Sequence, residues 1–197
     1  MSQPLRLRFL IGVPEIGQLP ESRAEVAVVG RSNVGKSSLI NALAGGKTAR
    51  VSKKPGRTQL LTCFALARDN ATFVDCPGYG YAKAPKAIRN SWQPMLERYL
   101  LEREQLVMIM LLVDGEIGPT ESDLEMLGWL REHGRPHTVV ATKLDKVKPS
   151  QLGKRQREVA SQCRLPMSAV AWISAAKNAG ISRLCELVHL WVGGKSR

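Results

Sequence analysis

Val26-Ala27-Val28-Val29, then Gly30-Arg31-Ser32-Asn33-Val34-Gly35-Lys36-Ser37, then Ser38-Leu39-Ile40-Asn41-Ala42-Leu43 follow one another without a break. An apolar run, a glycine-bounded loop ending in Lys-Ser and a helical stretch, in that order, make a phosphate-binding loop. Gly30 and Gly35 let the backbone wrap a phosphate chain, so that successive N–H groups and the following helix N-terminus face anionic oxygens. Lys36 adds a point charge on the terminal phosphates, and the Ser37 hydroxyl is a candidate ligand for Mg²⁺. The motif also occurs by chance as a plain turn; its strand-before, helix-after setting argues for a nucleoside triphosphate site.

Apolar runs alternate with segments of helical period along the chain, the pattern of an α/β domain with a mostly parallel sheet. Strands are expected near 25–29, 61–66, 71–74, 107–113, 138–142 and 170–173, and helices near 36–44, 92–103, 121–132, 150–162 and 181–192. Pro94 complicates the second helix: either Ser91 caps it with Pro94 in the first turn, or the segment is kinked. Residues 44–60 and 76–90 have no clear period and read as mobile loops. Residues 1–22 read as an extension of uncertain structure, 23–192 as a single domain, and 193–197 as a basic tail.

With 197 residues and 44% hydrophobic content, the chain can bury one substantial core and does not need a second. The four cysteines lack metal-ligand spacing and read as free thiols of a reducing cytosol, giving a cytoplasmic expectation. Pro14 and Glu15 end the first apolar run too early for a signal peptide. No stretch approaches a bilayer span, so no membrane role is expected. Lysine and arginine number 29 against 17 acids, which favours a polyanionic partner. Lys47, Arg50, Lys53, Lys54 and Arg57 form one basic cluster, and Lys146, Lys148, Lys154, Arg155 and Arg157 a second. A solvated charged surface without a partner is the alternative reading.

Further elements specify the nucleotide. Asp75-Cys76-Pro77-Gly78 follows a strand; Asp75 can hold Mg²⁺ through its water shell, and the Gly78 N–H can approach the γ-phosphate. Thr142-Lys143-Leu144-Asp145 follows another strand. The Asp145 carboxylate can accept from both the N1–H and the exocyclic amine of guanine, a donor pair adenine lacks, while Lys143 lays its stem over the base. Ser174-Ala175-Ala176 closes a third strand and can donate a backbone N–H to the guanine O6. Between the phosphate loop and Asp75 lies Gly56-Arg57-Thr58-Gln59. Thr58 is the preferred switch threonine for Mg²⁺ and the γ-phosphate, with Thr48 and Thr62 as competitors. Lys36, Thr58 and Gly78 are thus the candidates to act on the reacting phosphate, and Ser37, Thr58 and Asp75 the candidates to hold the metal.

These residues resemble the EngB (YihA/YsxC) family of bacterial GTPases. The likeness is carried by 30–38, Pro-Gly-Arg-Thr-Gln at 55–59, Asp-Cys-Pro-Gly-Tyr-Gly-Tyr-Ala at 75–82, Arg-Glu-Gln-Leu at 103–106 and Val-Val-Ala-Thr-Lys-Leu-Asp at 139–145. The resemblance implies a three-layer, Ras-like P-loop NTPase domain with six strands and helices on both faces, monomeric, binding GTP and GDP with Mg²⁺. It further implies a role in maturation of the large ribosomal subunit and its rRNA, with division and septation defects on depletion. A GTP-stabilised protein-binding module at the division site is the competing function. A metabolic kinase is disfavoured, because no lid for an acceptor substrate is evident.

Two departures stand out: Ser174-Ala175-Ala176-Lys177 replaces a compact Ser-Ala-Lys, which puts the role of Lys177 in doubt, and Arg57 replaces the usual lysine before the switch threonine. Tyr79 occupies the position where Ras-type enzymes carry a water-orienting glutamine, which predicts slow intrinsic hydrolysis. Related GTPases with asparagine at the Asn33 position use it to help hold K⁺; a turn-stabilising role is the alternative.

Overall fold

The computed structural model describes residues 4–48, 60–66, 70–79 and 86–194, with the side chains of 86–93 left aside. Seven strands form one sheet: β1 (Leu7–Val13), β2 (Ala24–Gly30), β3 (Leu61–Leu66), β4 (Ala71–Asp75), β5 (Leu106–Asp114), β6 (His137–Thr142) and β7 (Val170–Trp172). Their order across the sheet is β1-β3-β4-β2-β5-β6-β7, with β3 antiparallel to both neighbours and every pairing from β4 to β7 parallel. Among the described residues five α-helices complete the layers: α1 (Lys36–Ala44), α2 (Lys86–Glu102), α3 (Glu121–Glu132), α4 (Leu152–Gln162) and α5 (Ile181–Gly193).

The alternation of strand side chains sorts the core into two halves. Val26, Val28, Met110, Leu112 and Val140 point to the face covered by Leu39, Ile40 and Leu43 of α1 and Leu184, Val188 and Val192 of α5. Ala27, Val29, Leu111, Val113 and Val139 point to the other, under Leu96, Tyr99 and Leu100 of α2, Leu127 and Leu130 of α3, and Val159 of α4. Central β2 is therefore buried along its whole length, which is why it reads as an unbroken apolar run.

Three expectations change. The sheet has seven strands, not six, because Leu7–Val13, read as part of an extension, pairs antiparallel with β3. Its alternation is hidden by a register shift between Phe9 and Ile11, which turns the side-chain sequence over midway. Phe9 still meets Phe64 edge-on, with ring centroids 6.1 Å apart. The second helix starts at Lys86, not near 92, so Ser91 does not cap it, residues 86–90 are helical, and Pro94 lies in its interior. The stretch before α4 begins as a 3₁₀ turn, Pro149–Gln151.

At the end of the sheet away from the phosphate loop, Glu25 is fully buried but saturated with partners. Its carboxylate accepts from Tyr99 Oη at 2.7 Å, Thr72 Oγ1 at 2.8 Å and Arg103, whose Nη2 lies 3.2 Å away and also donates to the Pro20 carbonyl at 2.6 Å. This network ties β2, β4, the end of α2 and the N-terminal segment together.

Candidate functional site

β2 delivers the chain to the carboxyl edge of the sheet, the edge where ligands bind in open parallel sheets. A Cβ on Gly30 would stand 3.0 Å from the Leu112 carbonyl oxygen and from Val34, so a larger residue there would have to push its neighbours aside. Gly35, at φ 109°, turns the chain left-handed into α1. Gly35 at its N-cap has no side chain to cap that helix, leaving the first amides directed at the loop. Lys36 Nζ folds back to donate to the Gly30 carbonyl at 2.8 Å and the Arg31 carbonyl at 3.2 Å. Desolvation pushes the ammonium pKa down, with Asp75 beside it acting in the opposite sense. A cation held in this way is completed by an anion.

Asp75, at the end of β4, is buried, and burial raises its carboxyl pKa to about 6 against the opposing field of Lys36. Among the described residues its Oδ1 is buried without a hydrogen-bond partner. An orphaned carboxylate oxygen beside a phosphate loop fits a hydrated Mg²⁺, a hard cation that takes oxygen ligands. Gly78 presses on the same place: a Cβ there would stand 2.9 Å from Lys36 Nζ and 3.0 Å from Ser32 N. The neighbouring backbone is fixed by Ser32 N donating to the Tyr79 carbonyl at 3.2 Å. Cys76 and Pro77 are buried behind it, and burial pushes the Cys76 thiol up, so it is not a nucleophile at neutral pH.

The second half of the site comes from β6. Thr142 Oγ1 donates to the Val34 carbonyl at 2.7 Å, binding the strand to the phosphate loop 108 residues earlier in the chain. Lys143 takes a left-handed conformation, φ 55°. Asp145 follows in a 3₁₀ turn, where its Oδ1 accepts from Ser174 Oγ at 2.5 Å. That serine also accepts from Lys177 N at 3.0 Å and pairs twice with the Ala179 backbone, so Ser174, Ala175, Ala176 and Lys177 form a closed loop. Lys177 enters that loop through its backbone, and its side chain is exposed. Thr142, Lys143, Asp145, Ala175 and Ala176 line a cavity of about 660 Å³ together with Asn33, Gly35 and Ser38 of the phosphate-binding segment. The volume is that of a small-molecule cleft.

The structure thus brings together the phosphate loop, Asp75–Gly78, Thr142–Asp145 and Ser174–Ala176. Gly56, Arg57, Thr58 and Gln59 lie outside the described residues. Of the competing threonines, Thr62 lies within β3, and Thr48 Oγ1 donates to the Leu7 carbonyl at 3.4 Å. Asn33 is exposed at φ 63°, a conformation asparagine tolerates well in a turn. Sequence reading gave no nucleotide role to Asn41, Ala42, Lys47 and Lys146, which also line the cavity, the two lysines being read as parts of the basic clusters, nor to Asp114, which holds Lys143. The signal for Asp114 was present: a carboxylate followed by glycine at the carboxyl end of a buried strand.

Residues 25–143 match the family described as 50S ribosome-binding GTPase. A protein of Thermotoga petrophila named probable GTP-binding protein EngB is 45% identical over 170 residues, which cover 86% of this chain and 87% of that one. The chain belongs to the EngB family of GTPases. The crystal structure of a probable GTP-binding protein EngB superposes with a TM-score of 0.72 at 27% identity, covering 87% of this chain and all of the other. Era in complex with MgGDPNP and nucleotides 1506–1542 of 16S ribosomal RNA superposes at 0.70 with 25% identity, over 90% of this chain and 59% of Era. The chain is accordingly a GTPase, converting GTP to GDP and phosphate. Among the described residues no helix is long and apolar enough to cross a membrane.

Proposed function

We propose that this GTPase is a slow, nucleotide-gated switch that acts in assembly of the large ribosomal subunit and is needed for normal division and septation. The carrying observation is the single cavity shared by the phosphate loop and the Asp145 turn, with Ser174 fixing the carboxylate that reads the purine edge. Backbone amides of the phosphate loop and the ammonium of Lys36 grip the triphosphate. Ser37, Asp75 and Thr58 would hold Mg²⁺, which would neutralise charge on the phosphates. The Gly78 N–H meets the γ-phosphate, Lys143 covers the base, and Asn33 offers a ligand to K⁺. The Era complex, with MgGDPNP and rRNA named together, supports the metal and the class of partner.

Charge supports an RNA partner too. Lys146, Lys148, Lys154, Arg157 and Arg164 are all exposed, running from the base-reading turn along α4, and Glu158 is the acid that interrupts them. Such a stripe binds phosphate backbones in a salt-dependent way.

Asp145→Asn tests the nucleotide reading. Removing two hydrogen bonds to a carboxylate lowers GTP affinity by roughly a hundredfold and should transfer preference to xanthine nucleotides; unchanged GTP binding in calorimetry sinks the base site. Cosedimentation with large subunits, with GDP against a nonhydrolysable GTP analogue, tests the switch. Equal binding in both states rules out gating.

A further inference from the structure

We propose that Asp114 is a positioning residue for the guanine site, acting through Lys143; the inference rests on the reading of Lys143 as the residue that covers the base. Asp114 ends β5, and parallel register sets it opposite Thr142, one residue before Lys143. The geometry beyond is locked: Gly115 N donates to the Thr142 carbonyl at 2.9 Å, and a Cβ on Gly115 would collide with that oxygen and with the Trp172 ring. The two loops therefore leave the sheet in contact.

The carboxylate divides its oxygens between two tasks. Oδ1 accepts from Glu116 N at 3.0 Å and Ile117 N at 3.4 Å, so the following turn sets the orientation of the group before any ligand arrives. Oδ2 accepts from Lys143 Nζ at 2.6 Å and lies 4.0 Å from Nη2 of Arg31 in the phosphate loop. The Asp114 side chain is only 4% exposed and that of Lys143 36%. A lysine head without an anchor would sample many rotamers and cost entropy on being ordered over a base. Anchored at Asp114, Lys143 already lines the cavity. One buried carboxylate thus holds the base-covering lysine and faces the phosphate loop as well.

Lysine covers a face of the purine, whereas Asp145 reads its edge, and this separates the two contributions. Inosine lacks the 2-amine that Asp145 accepts from, but it has the same ring face. Calorimetry with GDP and IDP on Asp114→Asn should show roughly tenfold weaker binding of both, with their ratio unchanged. Lys143→Met, which keeps the stem but has no charge for Asp114, should reproduce that loss. Adding Asp114→Asn to Lys143→Met should then cost no more than about twofold, since the interaction is already gone.

Equal losses from Asp114→Asn in both backgrounds, or wild-type binding by either single variant, would overturn the proposal. Should Asp114→Asn fail to fold, Asp114→Ser, whose hydroxyl can still accept from Glu116 N, takes its place in the same cycle, and wild-type binding there overturns the proposal. Asp145→Asn run in parallel must abolish the preference for GDP over IDP; if it does not, the base-site reading fails, separately from the role of Asp114.

Discussion

The phenol of Tyr79 donates to Asp123 Oδ1 at 2.9 Å, deep between the end of the Asp75–Gly78 segment and the first turn of α3. The other oxygen of Asp123 accepts from Thr120 N at 2.9 Å and Thr120 Oγ1 at 2.8 Å, so the carboxylate that caps the helix also fixes Tyr79. Burial, reinforced by Asp123, raises the phenol pKa well above its ordinary value, and it stays protonated. At the position where Ras-type enzymes carry a water-orienting glutamine, this chain has a tyrosine whose hydroxyl is engaged by Asp123.

Tyr79→Phe should therefore leave the hydrolysis rate unchanged while lowering stability by about 1–3 kcal/mol, because it strands a buried carboxylate oxygen. Denaturant titration beside a steady-state GTPase assay separates the two effects. A large fall in kcat with stability intact contradicts a purely structural role for the hydroxyl.

Asp75 makes the empty protein sensitive to pH. Its folded pKa is raised from 3.8 to about 6, so between those values the unfolded chain has released a proton that the native chain retains. The unfolded state then binds fewer protons, and stability falls as pH rises through this window, by about 3 kcal/mol once pH passes 6. Below pH 3.8 this penalty is absent. Nucleotide-free Asp75→Asn should lack that decline when unfolding is compared at pH 4.5 and 7; a parallel decline in both proteins would show that Asp75 is not its source.

Arg103→Met leaves Glu25 buried without its cation. Destabilisation of about 3–5 kcal/mol is expected. GDP affinity of the folded fraction should not change, since the pair lies at the opposite end of the sheet. Ligand-dependent shifts in Tm measured on both proteins check this.

Asn33 provides a prediction for salts. If its side chain helps hold a monovalent cation, GTP turnover in potassium buffer exceeds that in sodium at equal ionic strength, and Asn33→Ala abolishes the difference. Equal rates in both buffers leave the asparagine as a turn residue.

Most of the site was legible because its chemistry is local. Gly30 to Ser37, Asp75 to Gly78 and Thr142 to Asp145 are each a few consecutive residues at or just beyond a strand end, so each candidate element can be read without knowing the fold. Asp114 and Asp123 were not, because their partners, Lys143 and Tyr79, lie 29 and 44 positions away and only the packed sheet makes them neighbours. The fold was legible for similar reasons where strands are fully buried. β1 escaped notice because a bulge inverts its alternation, and the start of α2 because Pro94 suggested a beginning where the helix is already under way.

That seventh strand has a consequence for how the nucleotide state is communicated. β3 leads directly out of the segment containing Thr58, yet both its edges are occupied, one by β1 and the other by β4. A protein partner cannot extend the sheet there with a strand of its own, as edge recognition requires. On the proposed switch reading, a partner that meets the chain beside β3 does so through loop tips and charged side chains. A partner made of phosphates and bases, which has no strand to offer, loses nothing by that closure.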